Sequence, residues 1–142
     1  MGAVIEGCLN RIPSVGFSLL DYSPNADFDS ARAEILEIVN VVLKNKLPYQ
    51  TCLNVNIPSV SKSEIKGIKI CRQADAHWEE KFDKRINPLG REYYWLTGEF
   101  INKDKGEDTD EWALGNGFIS VVPTQFDLTA HHAIKDINNW EL

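Results

Sequence analysis

A strand–helix–strand pattern over residues 12–57 constrains the fold more than any other feature of the sequence. Ile12–Leu19 is a short, mostly apolar run typical of a strand buried on both faces. In Leu53–Ile57, apolar residues alternate with asparagines, which is the period of a half-buried strand, and Pro58 ends that run. A helical spacing separates the two strands. Because such units form parallel crossovers, the sequence predicts an α/β fold with a right-handed connection.

The helix of this pattern carries a single apolar stripe. Asp27 and Asp29 lie at its amino end and Lys44 at its carboxyl end, where each charge complements the helix dipole. Pro48 follows and stops the helix. The residues predicted to face the core are Phe28, Ala31, Ile35, Ile38, Val39, Val42 and Leu43.

A further strand is predicted over Gly67–Arg72, after a polar stretch that has room for at most one helical turn. The texture then changes to polar sequence with isolated aromatic residues. We therefore divide the chain into an α/β core over residues 1–72 and a β-rich extension with a C-terminal helix over residues 73–142.

Within the extension, Asn87–Gly90 is a strong turn signal. The β-forming run Arg91–Gly98 is predicted to pair as a hairpin with the region Trp78–Phe82. The charged segment Asn102–Asp110 is predicted to be a solvated loop, since its acidic residues lack the spacing of a calcium-binding loop.

The last part of the chain predicts a short helix over Asp110–Leu114 and a strand over Phe118–Val122 with Pro123 at its end. Asp127 or Thr129 is predicted to cap a final helix that runs to Trp140.

Composition excludes several classes of function. The 142 residues carry a net charge of −6, which argues against a nucleic acid polymer as partner. No apolar run is long enough to span a membrane, and no export signal is present at the amino end. Cys8, Cys52 and Cys71 lie in apolar segments without metal-ligand spacing, which predicts buried, reduced thiols and a cytoplasmic location.

Few residues are candidates for chemistry. Asn54 and Asn56 share one face of a strand, where they would either support a neighbouring loop or contact a substrate. Asp127 and His131 are four residues apart and would form either a local ion pair or a cap beside an ordinary surface histidine. No phosphate-binding loop, dinucleotide fingerprint or nucleophile elbow occurs.

Several segments, in order, resemble the second half of the SurE (survival protein E) family of nucleotidases. MGAVIEGCLNRIPSVGFSL (1–19) is similar to the helix and strand where that family's first half passes into its second. The other matching segments are LNVNIP (53–58), KGIKICRQ (66–73), FDKRINPLGREYYWLTGE (82–99) and TDEWALGNGFISVVPTQFDLTA (109–130).

The resemblance implies a Rossmann-type three-layer core, of which residues 1–72 are a part, and an oligomerisation arm within residues 73–142. Family members are phosphatases that act on nucleoside monophosphates, depend on a divalent metal such as Mg²⁺ or Mn²⁺, and assemble as homo-oligomers, here a dimer or tetramer. The family holds its metal with two consecutive aspartates, a serine and an asparagine of its first half. No catalytic or metal-binding residue is therefore expected in this chain, which resembles a family member begun at an internal methionine.

The remaining site residues are assigned supporting roles on the same basis. Asn54, Asn56 and Arg72 are candidates for supporting the site, and Asp127, Thr129 and His131 for a hinge that sets the direction of the arm. The resulting prediction is the C-terminal part of a metal-dependent 5'-nucleotidase that is inactive alone. The alternative is a catalytically inactive oligomerisation or nucleotide-binding module.

Overall fold

A computed structural model describes residues 1–140 and shows an α/β fold with two separate sheets. The last two residues of the predicted extension, 141–142, lie outside this range. The strands are β1 (Val15–Leu19), β2 (Thr51–Ile57), β3 (Ile68–Ile70), β4 (Ala76–Ile86), β5 (Glu92–Asn102) and β6 (Ile119–Gln125). The helices are α1 (Gly2–Leu9), α2 (Arg32–Asn45), α3 (Asp110–Gly115) and α4 (His131–Ile137).

The predicted strand–helix–strand unit is present. β1 and β2 are adjacent and parallel, with Val15 opposite Leu53 and Leu19 opposite Ile57. The predicted helical stripe is correct at its centre, where Ile38 and Val42 are buried. It is wrong for Phe28 and Leu43, which are 63% and 71% exposed. Phe28 precedes the helix. Leu43 follows the buried Val42, and its side chain points about 100° away from that of Val42 around the helix axis.

Helices cover both faces of the four-stranded sheet. Residues of α2 pack with Val55 and Val121 in the main core, whereas Ala113 of α3 packs with Val122. Consecutive strand residues point to opposite faces, so α2 and α3 lie on opposite sides of the sheet. α1 shares the face of α3, because a Cβ on Gly16 would come within 2.8 Å of Val4 Cγ2.

β6 belongs to the core sheet, although the sequence placed it in the extension. The strand order is β1–β2–β6–β3, with β6 antiparallel to β2 and parallel to β3. The prediction that Pro123 ends this strand is also wrong, because β6 continues to Gln125. The pairing of β6 with β3 ends at Val121. Pro123 lies beyond it, so the N–H group that proline lacks is not needed for hydrogen bonds to β3.

The predicted hairpin is confirmed and is longer than expected. β4 and β5 pair antiparallel from Ala76 opposite Asn102 to Ile86 opposite Glu92. At the tip, the Asn87 carboxamide oxygen accepts hydrogen bonds from the N–H groups of Leu89 and Arg91. This two-stranded ribbon projects from the core sheet with no third strand among residues 1–140. Over the same residues, no helix combines the length and apolar character needed to cross a membrane.

Candidate functional site

The carboxyl ends of the parallel strands β1 and β2 border a cleft of about 420 Å³. Open α/β sheets bind their ligands at this kind of edge. The lining is mostly polar, and it consists of Leu19, Asp21, Asp27, Ser30, Ser59, Val60, Ser61 and Glu64. None of these residues was predicted to belong to a site. The sequence nevertheless contains a signal, because a polar residue stands two positions after the end of each of two strands predicted to be parallel.

Each carboxylate of the cleft is engaged by its own loop. Asp21 accepts a hydrogen bond from the N–H of Ser23 at 2.8 Å, and Asp27 accepts one from Asp29 at 2.9 Å. Glu64 accepts from both the hydroxyl and the N–H of Ser61, at 2.6 Å and 3.0 Å. These two bonds lower the pKa of Glu64. The hydrogen bonds therefore fix the orientation of all three carboxylates, and they favour the ionised form of Glu64.

The residues of the cleft do not fit a divalent metal. Such ions need several oxygen ligands converging on one point. Over residues 1–140, no three Asp, Glu, His or Cys side chains are grouped in that way.

Asn54 and Asn56 lie on β2, on the face of the sheet that α1 and α3 share. Asn56 is in register with Ser18 of β1 and with the fully buried Ser120 of β6. Within the described chain, neither asparagine side chain forms a hydrogen bond, and the Ser120 hydroxyl also lacks a partner. The structure thus groups Asn56 with Ser120 on the face of the sheet that α1 and α3 cover.

Arg72 lies at the opposite edge of the sheet from the cleft, since β3 runs antiparallel to β2. Its guanidinium binds Asp104 at 2.6 Å and Asp108 at 2.8 Å, which joins the end of β3 to the base of the ribbon. The hydrogen bonds from Arg72 are the main reason why the pKa of Asp104 lies well below its usual range. The prediction of a solvated loop is therefore wrong for Asp104, whose side chain is only 10% exposed.

The predicted pairing of Asp127 with His131 is confirmed, at 2.8 Å between Oδ2 and Nε2. The predicted cap is wrong. The residue preceding α4 is Ala130, and no side chain caps the helix. The Asp127 carboxylate is already occupied by the N–H of Thr129 and by His131. These three residues lie just after β6, at the same sheet edge as Arg72 and away from the cleft.

Comparison with known proteins places the chain among survival proteins. The sequence model of the family described as "Survival protein SurE" matches residues 1–80. The chain is 64% identical to the "5'-nucleotidase SurE" of Christiangramia forsetii and 61% identical to that of Flavobacterium psychrophilum. Each match covers 100% of this chain and 55% of the relative.

A solved structure gives the same result. The crystal structure of the SurE protein from Aquifex aeolicus superposes with a TM-score of 0.77 at 38% identity. That match covers 96% of this chain and 55% of the Aquifex chain. The chain therefore spans about half the length of the relatives that it matches.

Proposed function

Because the chain belongs to the SurE family, we propose that it forms the C-terminal portion of a 5'-nucleotidase, an enzyme that hydrolyses nucleoside monophosphates. The observation that carries this proposal is the match of the whole chain, at 64% identity, to a relative named for that activity. The C-terminal placement is supported by the segments between residues 1 and 130 that resemble, in order, the second half of the family.

We further propose that this portion does not hydrolyse nucleotides alone. The cleft at the carboxyl ends of β1 and β2 carries the acidic side chains of Asp21, Asp27 and Glu64. Three carboxylates repel a phosphate dianion unless a cation lies between them. Since the described residues do not fit a metal, the Mg²⁺ or Mn²⁺ ion of the intact enzyme would be held by family residues outside these 142 positions. The cleft would then form one wall of a site that the other portion completes.

The second role that we propose is assembly into a homo-oligomer. The ribbon of β4 and β5 carries large apolar side chains on one face, and a two-stranded ribbon alone is marginally stable in water. Burial of that face against another copy would stabilise it. The free thiols of all three cysteines agree with the reducing cytoplasm as the location of this assembly.

A chimaeric protein tests the nucleotidase proposal. The segment of the Christiangramia forsetii relative that lies outside its match to this chain is fused to Met1. With a nucleoside monophosphate and Mg²⁺ or Mn²⁺, the chimaera should release phosphate, and a chelator should abolish the release. The matched controls are the 142-residue chain and the added segment, each assayed alone, which should both be inactive. A folded but inactive chimaera, or an active chain alone, would contradict the proposal.

The same preparations separate the alternative functions. A nucleotide-binding module would bind a nucleoside monophosphate in calorimetry as the chain alone, without metal and without turnover. An assembly module would bind no nucleotide and would still form oligomers in sedimentation. The apolar face of the ribbon favours the assembly alternative over the binding one.

A further inference from the structure

A second cavity, of about 410 Å³, lies at the sheet edge opposite the cleft at the carboxyl ends of β1 and β2. It is bordered by the end of α1, the loop after α2 and the start of β2. The guanidinium of Arg11 sits 5.7 Å from the ring centroid of Tyr49 at this cavity. The nucleotidase proposal gives it no role.

One thiol lines this cavity, and a second belongs to a residue that follows the lining in the chain. Cys8 of α1 lines it and is 7% exposed, and Cys52 of β2, which follows the lining residue Thr51, is 1% exposed. Burial is the main cause that raises the pKa of the Cys52 thiol, and the presence of the Cys8 thiol adds to the rise. Cys52 also donates its S–H to the carbonyl of Thr124 at 3.5 Å. A Cβ on Gly7 would meet the Ser14 side chain, and Ser14 lies beside Cys52 because Val15 is opposite Leu53 in the parallel pair. Helix α1 therefore places Cys8 over Cys52, although the two lie 44 positions apart in sequence.

Cys71 provides an internal comparison. It is also free and buried, but its S–H is donated to the Lys69 carbonyl at 3.3 Å. It packs with Ala113 and Val122, in a cluster separate from α1. The chain thus contains one pair of neighbouring thiols and one isolated thiol that serves as a matched control.

We propose that Cys8 and Cys52 are a modification site at which hydrogen peroxide forms a reversible disulfide. The cavity gives the oxidant access to Cys8, so the Cys8 thiolate attacks one peroxide oxygen. The O–O bond breaks, a sulfenic acid forms, and hydroxide leaves and takes up a proton to become water. Cys52 then attacks the Cys8 sulfur, the S–O bond breaks, and a second water leaves. Two thiols are oxidised, one peroxide is reduced to two waters, and a thiol reductant reverses the step.

The disulfide would join α1 covalently to β2. A cross-link restrains the unfolded chain, so the oxidised protein should unfold at a higher temperature than the reduced one. Disulfides of reducing compartments are characteristically transient and redox-sensing. This inference concerns only residues of this chain and is independent of nucleotidase activity.

Thiol counting and mass spectrometry test the proposal. The reduced chain is treated with hydrogen peroxide, alkylated under denaturing conditions and digested. The wild type should lose about 2 Da before alkylation and keep one alkylatable thiol, with Cys8 and Cys52 in one cross-linked peptide. Cys71→Ser should lose the same mass and keep none, and dithiothreitol should restore every thiol. Cys8→Ser and Cys52→Ser should form no intramolecular disulfide.

Three outcomes would overturn the proposal: a cross-link that includes Cys71, disulfides only between chains, or oxidation of Cys8 to a sulfinic acid without a cross-link. The peptide map of the wild type and the Cys71→Ser variant decide the question even if the Cys8 and Cys52 variants fail to fold.

Discussion

At the scale of single residues, Arg72 illustrates how one side chain joins two elements. Its two carboxylate partners, Asp104 and Asp108, lie 32 and 36 positions away. Asp104 additionally accepts hydrogen bonds from the N–H groups of Asp75 and Gly106. Because the Asp104 side chain is largely buried, removing the guanidinium would leave a charge without its counterion. Arg72 therefore fixes the base of the ribbon.

We expect Arg72→Ala to lower the melting temperature and to expose the segment 103–108 to proteolysis. The matched control is Arg85→Ala, which removes a local ion pair with Asp83 whose two side chains are about half exposed. Exposed pairs of that kind contribute little to stability. Differential scanning fluorimetry and limited trypsin digestion compare the two variants. Equal melting curves for both would show that the Arg72 cluster stabilises nothing.

Asp127 predicts a dependence on pH. Its hydrogen bonds, first with Thr129 and then with His131, lower its pKa to about 2. The pKa of an unperturbed aspartate is about 3.9, so the folded state favours the ionised form of Asp127. The resulting stabilisation is complete above about pH 4 and is lost as the pH falls through about 2.

The variant Asp127→Asn keeps an oxygen that accepts from Thr129 and loses the charge. It should melt below the wild type at neutral pH, and the difference should shrink as the pH falls from about 4 to about 2. Melting curves of both proteins over that range provide the measurement. A difference that does not change with pH would exclude the charge of Asp127 as its cause.

At the scale of elements, β6 holds the core sheet together. It pairs with β2 on one side and β3 on the other, and it has a different helix over each face. Ile119, Ser120 and Val121 are each at most 3% exposed. Deleting a side chain from such a strand leaves a cavity that the neighbouring elements cannot fill.

We expect Ile119→Ala to lower the free energy of unfolding by about 2–5 kcal/mol. Ile119 is 0% exposed, whereas Ile70 on the neighbouring strand β3 is 66% exposed. The control Ile70→Ala should therefore change the free energy by about 0.5 kcal/mol or less. Urea unfolding measures both. The role given to β6 would be wrong if the two variants were equally stable.

Elements set by local patterns were predictable from the sequence, and pairings between distant segments were not. Alternation in β2 and the helical spacing of α2 depend on neighbouring residues, and the Asn87–Gly90 turn specifies its own hairpin. The insertion of β6 between β2 and β3 depends on pairings between residues 51 to 74 positions apart, and Pro123 predicted an earlier end of the strand. The polar residues after β1 and β2 could have been predicted to share a site, because they follow two parallel strands. The carboxylate partners of Arg72 could not be predicted, because they lie 32 and 36 positions away.

At the scale of the whole molecule, the ribbon divides into two unlike faces. Side chains at alternate positions share a face, and paired residues of the two strands point the same way. One face carries Trp78, Phe82, Ile86, Tyr94, Leu96 and Phe100, each between 48% and 66% exposed. The other face carries mainly charged and polar residues around Trp95 and Tyr93. The apolar face also carries Glu80 and the ion pair between Lys84 and Glu92. So many exposed large apolar side chains on one face mark an interaction surface.

We predict that this apolar face carries the homo-oligomer contact. Burying one such side chain contributes about 1.5–3 kcal/mol, so replacing Phe82 with serine should weaken association measurably. The control Lys81→Ser alters the adjacent residue, which points to the opposite face.

Sedimentation velocity over a concentration series should show that the wild type and Lys81→Ser share one molar mass and that Phe82→Ser is smaller. If the wild type is monomeric, or if Phe82→Ser keeps the molar mass of the parent, the ribbon contact is absent. Because each variant alters only one face, the comparison separates loss of the contact from general unfolding, which circular dichroism would report for either variant.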